Sequence, residues 1–401
     1  MQQSADPTIF ADLAPTLNRL RGAVRVILDT KHKAKAGARA CAREFGFDKS
    51  IGWKIYQIGY SEDFVTALSA LPGARGWEIV FGKFAASNAT PAQVDEAKAA
   101  LAAFEKQLAS RRIDRSMLSG MAAAVDDTEE SRRQMLRLRK QASDAMAVIL
   151  GVHVNARIGG YLCMPSKTPG MVDIAATTVI AGLERRRPGP PWFLYRQIWS
   201  YDAAGAERKL TQGPLVESPM APLVEELSSH GIRADEIARR PGAAAAFDFI
   251  GRSPTRSDSL TVSFAEFEQA VGPSSRQGAE RTAELSMPIS KPTSAAVLDI
   301  LMHRDLPRGS APAASMFASL GVAGSDPSAR ERLRLSLEAQ VSKPASLHVE
   351  STGAEANRAY GELCRGSAAR FGFDLSEFEC HRIVVPHPPV PCTIMMSWDL
   401  A

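Results

Sequence analysis

The chain has 401 residues, of which 45% are hydrophobic, 23% charged and 7% aromatic. That balance points to two folded domains and excludes a largely disordered or fibrous polypeptide. Net charge is only +4, yet between Arg19 and Lys54 ten Lys or Arg stand against three acids, and clustered positive charge on a near-neutral remainder is the footprint of a polyanion binder. Mean hydropathy is −0.13 and no apolar run approaches the roughly 20 residues of a membrane helix, so no membrane span is expected. The opening Met1–Asp6 has neither a basic patch nor an apolar core, which gives no sign of a signal peptide. Five scattered cysteines, Cys41, Cys163, Cys364, Cys380 and Cys392, are odd in number and fit reduced thiols in a cytoplasmic protein.

Residues 8–30 read as a helix, with Leu13, Leu17, Leu20, Val24, Ile27 and Leu28 recurring at steps of three and four. A charged connector follows, carrying Lys31, Lys33 and Lys35. The next helices are expected at 36–45 and 49–60, with Gly46 as the break. Ser61-Glu62-Asp63 opens another, which Leu71-Pro72-Gly73 ends. Residues 92–109 form a long helix, with Thr90 as its N-cap and Pro91 in the first turn. The last helix of this half starts at Asp127, with Glu130 completing a capping box, and runs to Leu150. Met135, Leu138, Ala142, Met146 and Ile149 line one of its faces, either to pair with a second copy or to pack on the rest of the chain. Residues 1–150 are therefore expected to be all-helical.

After Gly151 the pattern changes. Alternating apolar runs predict strands at 192–199, 259–264, 285–289, 297–302, 382–385 and 393–398. Helices are expected at 172–185, 222–230, 330–340 and 355–369. The fold class is thus α+β: a helical N-terminal domain, then a larger mixed domain over 151–401 that would bind an effector or mediate oligomerisation.

One segment carries a specific mechanism. Ala42 is small and central in its helix, Gly46 follows four residues later, Phe47 comes directly after it, and Asp48, Lys49 and Ser50 open the next helix. Residues 38–57 in this respect resemble the helix-turn-helix of DNA-binding transcriptional regulators. The resemblance implies a close crossing at Ala42, a turn at Gly46, a core plug at Phe47 and a recognition helix near 49–58. One position departs from the family: Gly52 stands where a branched aliphatic residue is usual, and Ile51, Ile55 and Ile58 can supply the buried stripe instead. Lys49, Ser50, Trp53, Lys54 and Gln57 then face outward to read the groove. Arg39, Arg43, Lys31, Lys33 and Lys35 are the expected phosphate contacts, which add affinity without sequence information. The partner is double-stranded DNA, with a homodimer and a small-molecule or protein effector as further expected partners.

Other constellations lack their chemical partners. His303-Arg304-Asp305-Leu306 copies the catalytic loop of protein kinases, but Ser310 stands where a metal-holding Asn belongs, and neither a Gly-rich loop nor Asp-Phe-Gly is present. His381 and His387, near Cys380 and Cys392, match no zinc spacing. Gly159-Gly160 and Gly182 near Arg185-Arg186-Arg187 form no phosphate-binding motif. No metal or cofactor is expected. The competing readings are a DNA-binding protein of a phage or mobile element, and an enzyme whose site would gather Asp173, Asp299, His303, Asp305 and His381.

Overall fold

A computed structural model describes residues 7–32, 36–114, 117–118, 129–186, 192–196, 200–201, 207–208, 212–214, 223–229, 232, 237–239, 246–249, 259–277, 281–318, 331, 333–337 and 339–401. The chain is α+β, and a helical N-terminal region precedes a sheet-rich one. It divides into two compact units, Met1–Leu138 and Arg139–Ala401. No described helix is long and apolar enough to cross a membrane.

The first unit contains α1 (Pro7–Leu28), α2 (Gly37–Phe45), α3 (Lys49–Tyr60), α4 (Phe64–Ser69), α5 (Ala74–Ala85) and α6 (Pro91–Ser110). All six apolar residues of the α1 stripe, Leu13, Leu17, Leu20, Val24, Ile27 and Leu28, are completely buried. They meet Ile55 and Ile58 of α3 and the Val94–Leu101–Leu108 face of α6 in one core. α6 begins as expected, with Thr90 and Gln93 exchanging side-chain and backbone bonds in a capping box and Pro91 at its first position. α5 was not anticipated. It buries Trp77, Val80 and Phe84 and has Gly73 as its N-cap, without a side-chain cap. The Pro72-Gly73 pair reads as an end rather than a beginning.

The boundary helix α7 spans Glu129–Leu150. Among its described side chains the buried ones are Arg139, Ser143 and Ala147, beside the apolar stripe rather than on it; Ile149 is 59% exposed. Arg139 donates from Nη2 to the Ser336 carbonyl at 2.6 Å.

The second unit is built on β1 (Val152–Pro165), β2 (Met171–Arg185), β3 (Trp192–Arg196), β4 (Ser200–Tyr201), β5 (Glu207–Arg208), β6 (Gln212–Pro214), β7 (Ile237–Arg239), β8 (Ala246–Phe249), β9 (Leu260–Pro273), β10 (Thr282–Ile289), β11 (Thr293–His303), β12 (Ala313–Ala318), β13 (Arg334–Leu335), β14 (Phe378–Pro386) and β15 (Cys392–Asp399), together with the helix α8 (Ala354–Arg370). The main sheet runs β14-β11-β1-β2-β9-β6; β1 and β11 pair in parallel and the other neighbours antiparallel. α8 covers one face through Ala359, Tyr360, Leu363 and Ala368, against Ile158, Leu162, Val179 and Val297. The sheet β10-β15-β12-β13 covers the other, where Met287, Ile394 and Met396 meet Ala296, Leu298 and Ile300.

Three expected helices are corrected. Residues 172–185 are strand β2, buried on both faces over most of its length. A central strand sandwiched between two layers shows a continuous apolar run, so the period-two signal vanishes, and β-branched Thr177, Thr178, Val179 and Ile180 favour the extended form. Within 222–230 the helix is a single 3₁₀ turn, Glu225–Leu227, held where Val224 and Ser229 bond to the β9 backbone. Within 330–340 the described backbone includes the short strand Arg334–Leu335, paired with β12. The strand β1 was missed, because Gly159 and Gly160 interrupt its pattern. Both glycines are needed: a Cβ on Gly160 would lie 2.5 Å from the Tyr360 hydroxyl, and one on Gly159 would lie 2.9 Å from the Met287 sulfur.

A buried ion pair ties these layers together. Arg382 on β14 donates from Nε to Asp299 Oδ1 at 2.8 Å and from Nη2 to Oδ2 at 2.7 Å, and the Tyr360 hydroxyl donates to Oδ2 at 2.8 Å. The guanidinium also donates to the carbonyls of His348 and Leu347, so every charge is satisfied. Burial, then the Asp299 charge, pushes the Tyr360 phenol well above its ordinary range, which keeps it a donor. Replacing Asp299 by Ala leaves the Arg382 charge buried and unpaired, and the stability of this unit in urea unfolding should fall by about 3–5 kcal/mol.

Candidate nucleic-acid interface

α2 ends at Gly46, which adopts φ 65° and donates to the Arg43 carbonyl, while Phe47 N–H donates to Ala42 O at 2.8 Å. This left-handed cap is a conformation glycine enters without steric cost. Phe47 is buried, stacks on Phe45 with centroids 5.8 Å apart and meets Phe84 edge-on at 6.0 Å. Asp48 then caps α3, its Oδ1 accepting from Ser50 N at 2.8 Å and Ile51 N at 2.9 Å. Such a cap is worth about 1 kcal/mol.

The departure at Gly52 has a direct explanation. A Cβ there would lie 2.3 Å from the Ala42 Cβ and 2.7 Å from its Cα. Gly52 and Ala42 therefore form the crossing point of the two helices, where their backbones come into close contact. Ile55 and Ile58 are completely buried and Ile51 packs partly against the same core.

With that side turned inward, Lys49, Ser50 and Trp53 are exposed, while Lys54 and Gln57 are half-buried. Trp53 is 40% exposed and lines a groove with Ala36, Gly37, Ala38, Arg39, Lys49 and Ser50. Arg39 and Arg43 on α2 are exposed as well. No ion pair engages Arg39, Arg43, Lys49 or Lys54 among the described residues. Lys31 is held differently: its ammonium donates to the Glu44 carbonyl at 3.1 Å and lies 5.9 Å from the Phe45 ring centre. Lys33 and Lys35 lie outside the described residues.

The entry to α2 is anchored beside Lys31. His32 is buried, with Nδ1 2.5 Å from Glu44 Oε2 and its ring against Tyr56 and Tyr60. The Tyr60 hydroxyl donates to Asp29 Oδ1 at 2.7 Å; burial and that bond raise its pKa above the ordinary value. One cation was not anticipated from the sequence. Lys83, exposed in the last turn of α5, brings its Nζ to 3.5 Å from the point a Gly46 Cβ would occupy. It lies far from the motif in sequence, and only the Phe45–Phe47–Phe84 packing brings it there.

The polar groups of the second unit do not converge. Asp299 points to the α8 side, whereas His381, paired in register with Ile300, lies on the face covered by the four-stranded sheet. Asp173 accepts from Ala270 N at 2.8 Å. His303 sits between Asp305 and Glu377, at 3.7 and 3.5 Å. His381 Nε2 accepts from Arg308 Nη1 at 2.8 Å, and Arg308 Nη2 donates to Glu379 Oε2 at 2.8 Å, with the Lys343 ammonium on the other carboxylate oxygen. Arg308 and Lys343 hold the Glu379 carboxyl down at about 2. Burial keeps His381 below its ordinary value, aided by Arg308 and Lys343 against the pull of Glu379. Among the described residues no group of three His, Cys, Asp or Glu is arranged to hold a metal ion.

No family model, curated protein or solved structure matches the chain.

Two outcomes follow from these contacts. At an open helical site Gly→Ala stabilises by about 1 kcal/mol; Gly52→Ala should instead lower the melting temperature of the first unit, with partial recovery in the Ala42→Gly/Gly52→Ala double variant. In the second unit both shifted groups have depressed folded pKa values, so their stabilisation is complete above the ordinary values and fades on acidification. The stability difference between wild type and Arg308→Met should therefore shrink as pH falls below the ordinary 6.5 of His381, and again from the ordinary 4.5 of Glu379 towards 2.

Proposed function

We propose that this chain is a sequence-specific DNA-binding protein that reads the major groove with α3 and acts as a transcriptional regulator, its α+β unit serving effector binding or oligomerisation. The observation that carries this reading is the Ala42–Gly52 crossing with its left-handed Gly46 turn. It supports the reading because the close contact falls at Gly52, the one position where the sequence departs from the helix-turn-helix pattern it resembles. The consequence is an outward face of suitable chemistry. Lys49 and Ser50 stand in the first turn of α3, where a recognition helix meets base edges. Gln57 offers the paired donor and acceptor that match an adenine edge, and Trp53 offers an apolar surface for a thymine methyl or a sugar. Arg39 and Arg43 supply phosphate contacts from α2.

The enzyme reading finds no comparable support. Asp173, Asp299, His303 and His381 are distributed over both faces of one sheet and Asp305 lies in the exposed turn after β11, and each makes the protein contact described above.

The test is retention of pooled genomic fragments by the full chain across a salt series, followed by sequencing. A few related sequences retained at about 150 mM salt are expected, whereas retention only at low salt without enrichment refutes the reading. Replacing both Lys49 and Lys54 by Ala should weaken binding to an enriched site at least tenfold and lower the salt slope by ~2, with the melting temperature unchanged.

A further inference from the structure

Three segments bring a cation to the same elbow between α2 and α3. Lys31 reaches it from the end of α1, with its ammonium on the Glu44 carbonyl. Arg43 lies exposed in the last turn of α2, and its carbonyl accepts from Gly46 N. Lys83 reaches it from α5, with Nζ beside Gly46. The α5 end is fixed there, because Phe84 is completely buried and meets both Phe45 and Phe47 edge-on, at 5.8 and 6.0 Å. No ion pair engages Arg43 or Lys83 among the described residues. Gly46 itself is exposed and carries no side chain, and it lies two residues ahead of Asp48, the cap of α3.

We propose that the C-terminal turn of α5 belongs to the DNA-contacting surface, with Lys83 binding a backbone phosphate at the elbow alongside Arg43 and Lys31. The proposal rests on the DNA-binding reading above and extends the interface beyond the two helices of the motif. The chemistry is that of a point charge on a flexible stem, which neutralises a phosphate without reading a base. The contact therefore adds affinity equally to all sequences and leaves the preferred site unchanged. A purely structural role is the competing explanation, since a cation near a helix C-terminus also stabilises that helix through its dipole. The two roles differ in what they move: a phosphate contact releases a counterion on binding, whereas a helix cap changes only folding stability.

The experiment uses the full chain and a labelled DNA duplex of mixed sequence, with affinity measured between about 50 and 200 mM salt. Lys83→Ala should lower the slope of log affinity against log salt by about 0.9, with an unchanged melting temperature. Lys98→Ala on α6, where the ammonium is 3.9 Å from Asp95, should leave the slope at its wild-type value. An unchanged slope in Lys83→Ala overturns the proposal, and a lowered melting temperature with that slope assigns Lys83 to helix capping. If the Lys49/Lys54 double variant also binds the duplex as wild type does, the DNA-binding reading itself fails, and the elbow contact with it.

Discussion

The pairing of α2 and α3 depends on two backbones meeting where neither carries a side chain beyond a methyl group. Gly52 lies so close to Ala42 that even one carbon on it would overlap the α2 backbone, and this fixes the distance and crossing of α2 and α3. A glycine inside a helix costs about 1 kcal/mol, and the adjoining contacts offset that cost. Asp48 caps the N-terminus of α3, Ile55 and Ile58 bury its inner face against α1, and Phe47 plugs the turn. The outer face is a geometric consequence. Once residues 52, 55 and 58 point inward, positions 49, 50, 53, 54 and 57 have only the other side of the helix to occupy.

The second unit shows how charged residues inside a core can serve architecture. Asp299 sits on a central strand, Arg382 on the neighbouring strand and Tyr360 on the covering helix, and their hydrogen bonds join all three. Arg382 also holds the carbonyls of Leu347 and His348, and its backbone exchanges hydrogen bonds with Ser342. One side chain thus secures the segment running along the β14 edge, which would otherwise expose unpaired backbone groups. Asp299, a carboxylate that invites an enzymatic interpretation, is engaged in this way. Five buried or part-buried cysteines carry free thiols, and burial pushes Cys163 and Cys364 up to about 12, far from thiolate reactivity.

Legibility along the chain followed the physical range of each signal. The α1 stripe, the Thr90 N-cap and the Gly46 turn were readable because each is set by residues within one or two turns of each other. The misreading of β2 has the opposite origin: a strand covered on both faces has no polar side, so its composition resembles that of a buried helix. Gly159 and Gly160 obscured β1, although the packing of Met287 and Tyr360 against them is what requires their small size. The reading of Gly52 as a departure was a reading of sequence position alone; contact with Ala42 turned it into the crossing point.

From the sequence alone came the concentration of charge between Arg19 and Lys54, the helical character of the first half, the mixed character of the second, and the turn with the outward residues of α3. These depend on local capping, local periodicity and residue type, which act over a few residues. Tertiary structure alone decided that Gly52 meets Ala42, that Lys83 stands at the elbow, and that Asp299 and His381 lie on opposite faces of a sheet. Each of these turns on which distant segments touch, and that is settled by packing of the whole core rather than by any local stretch of chain.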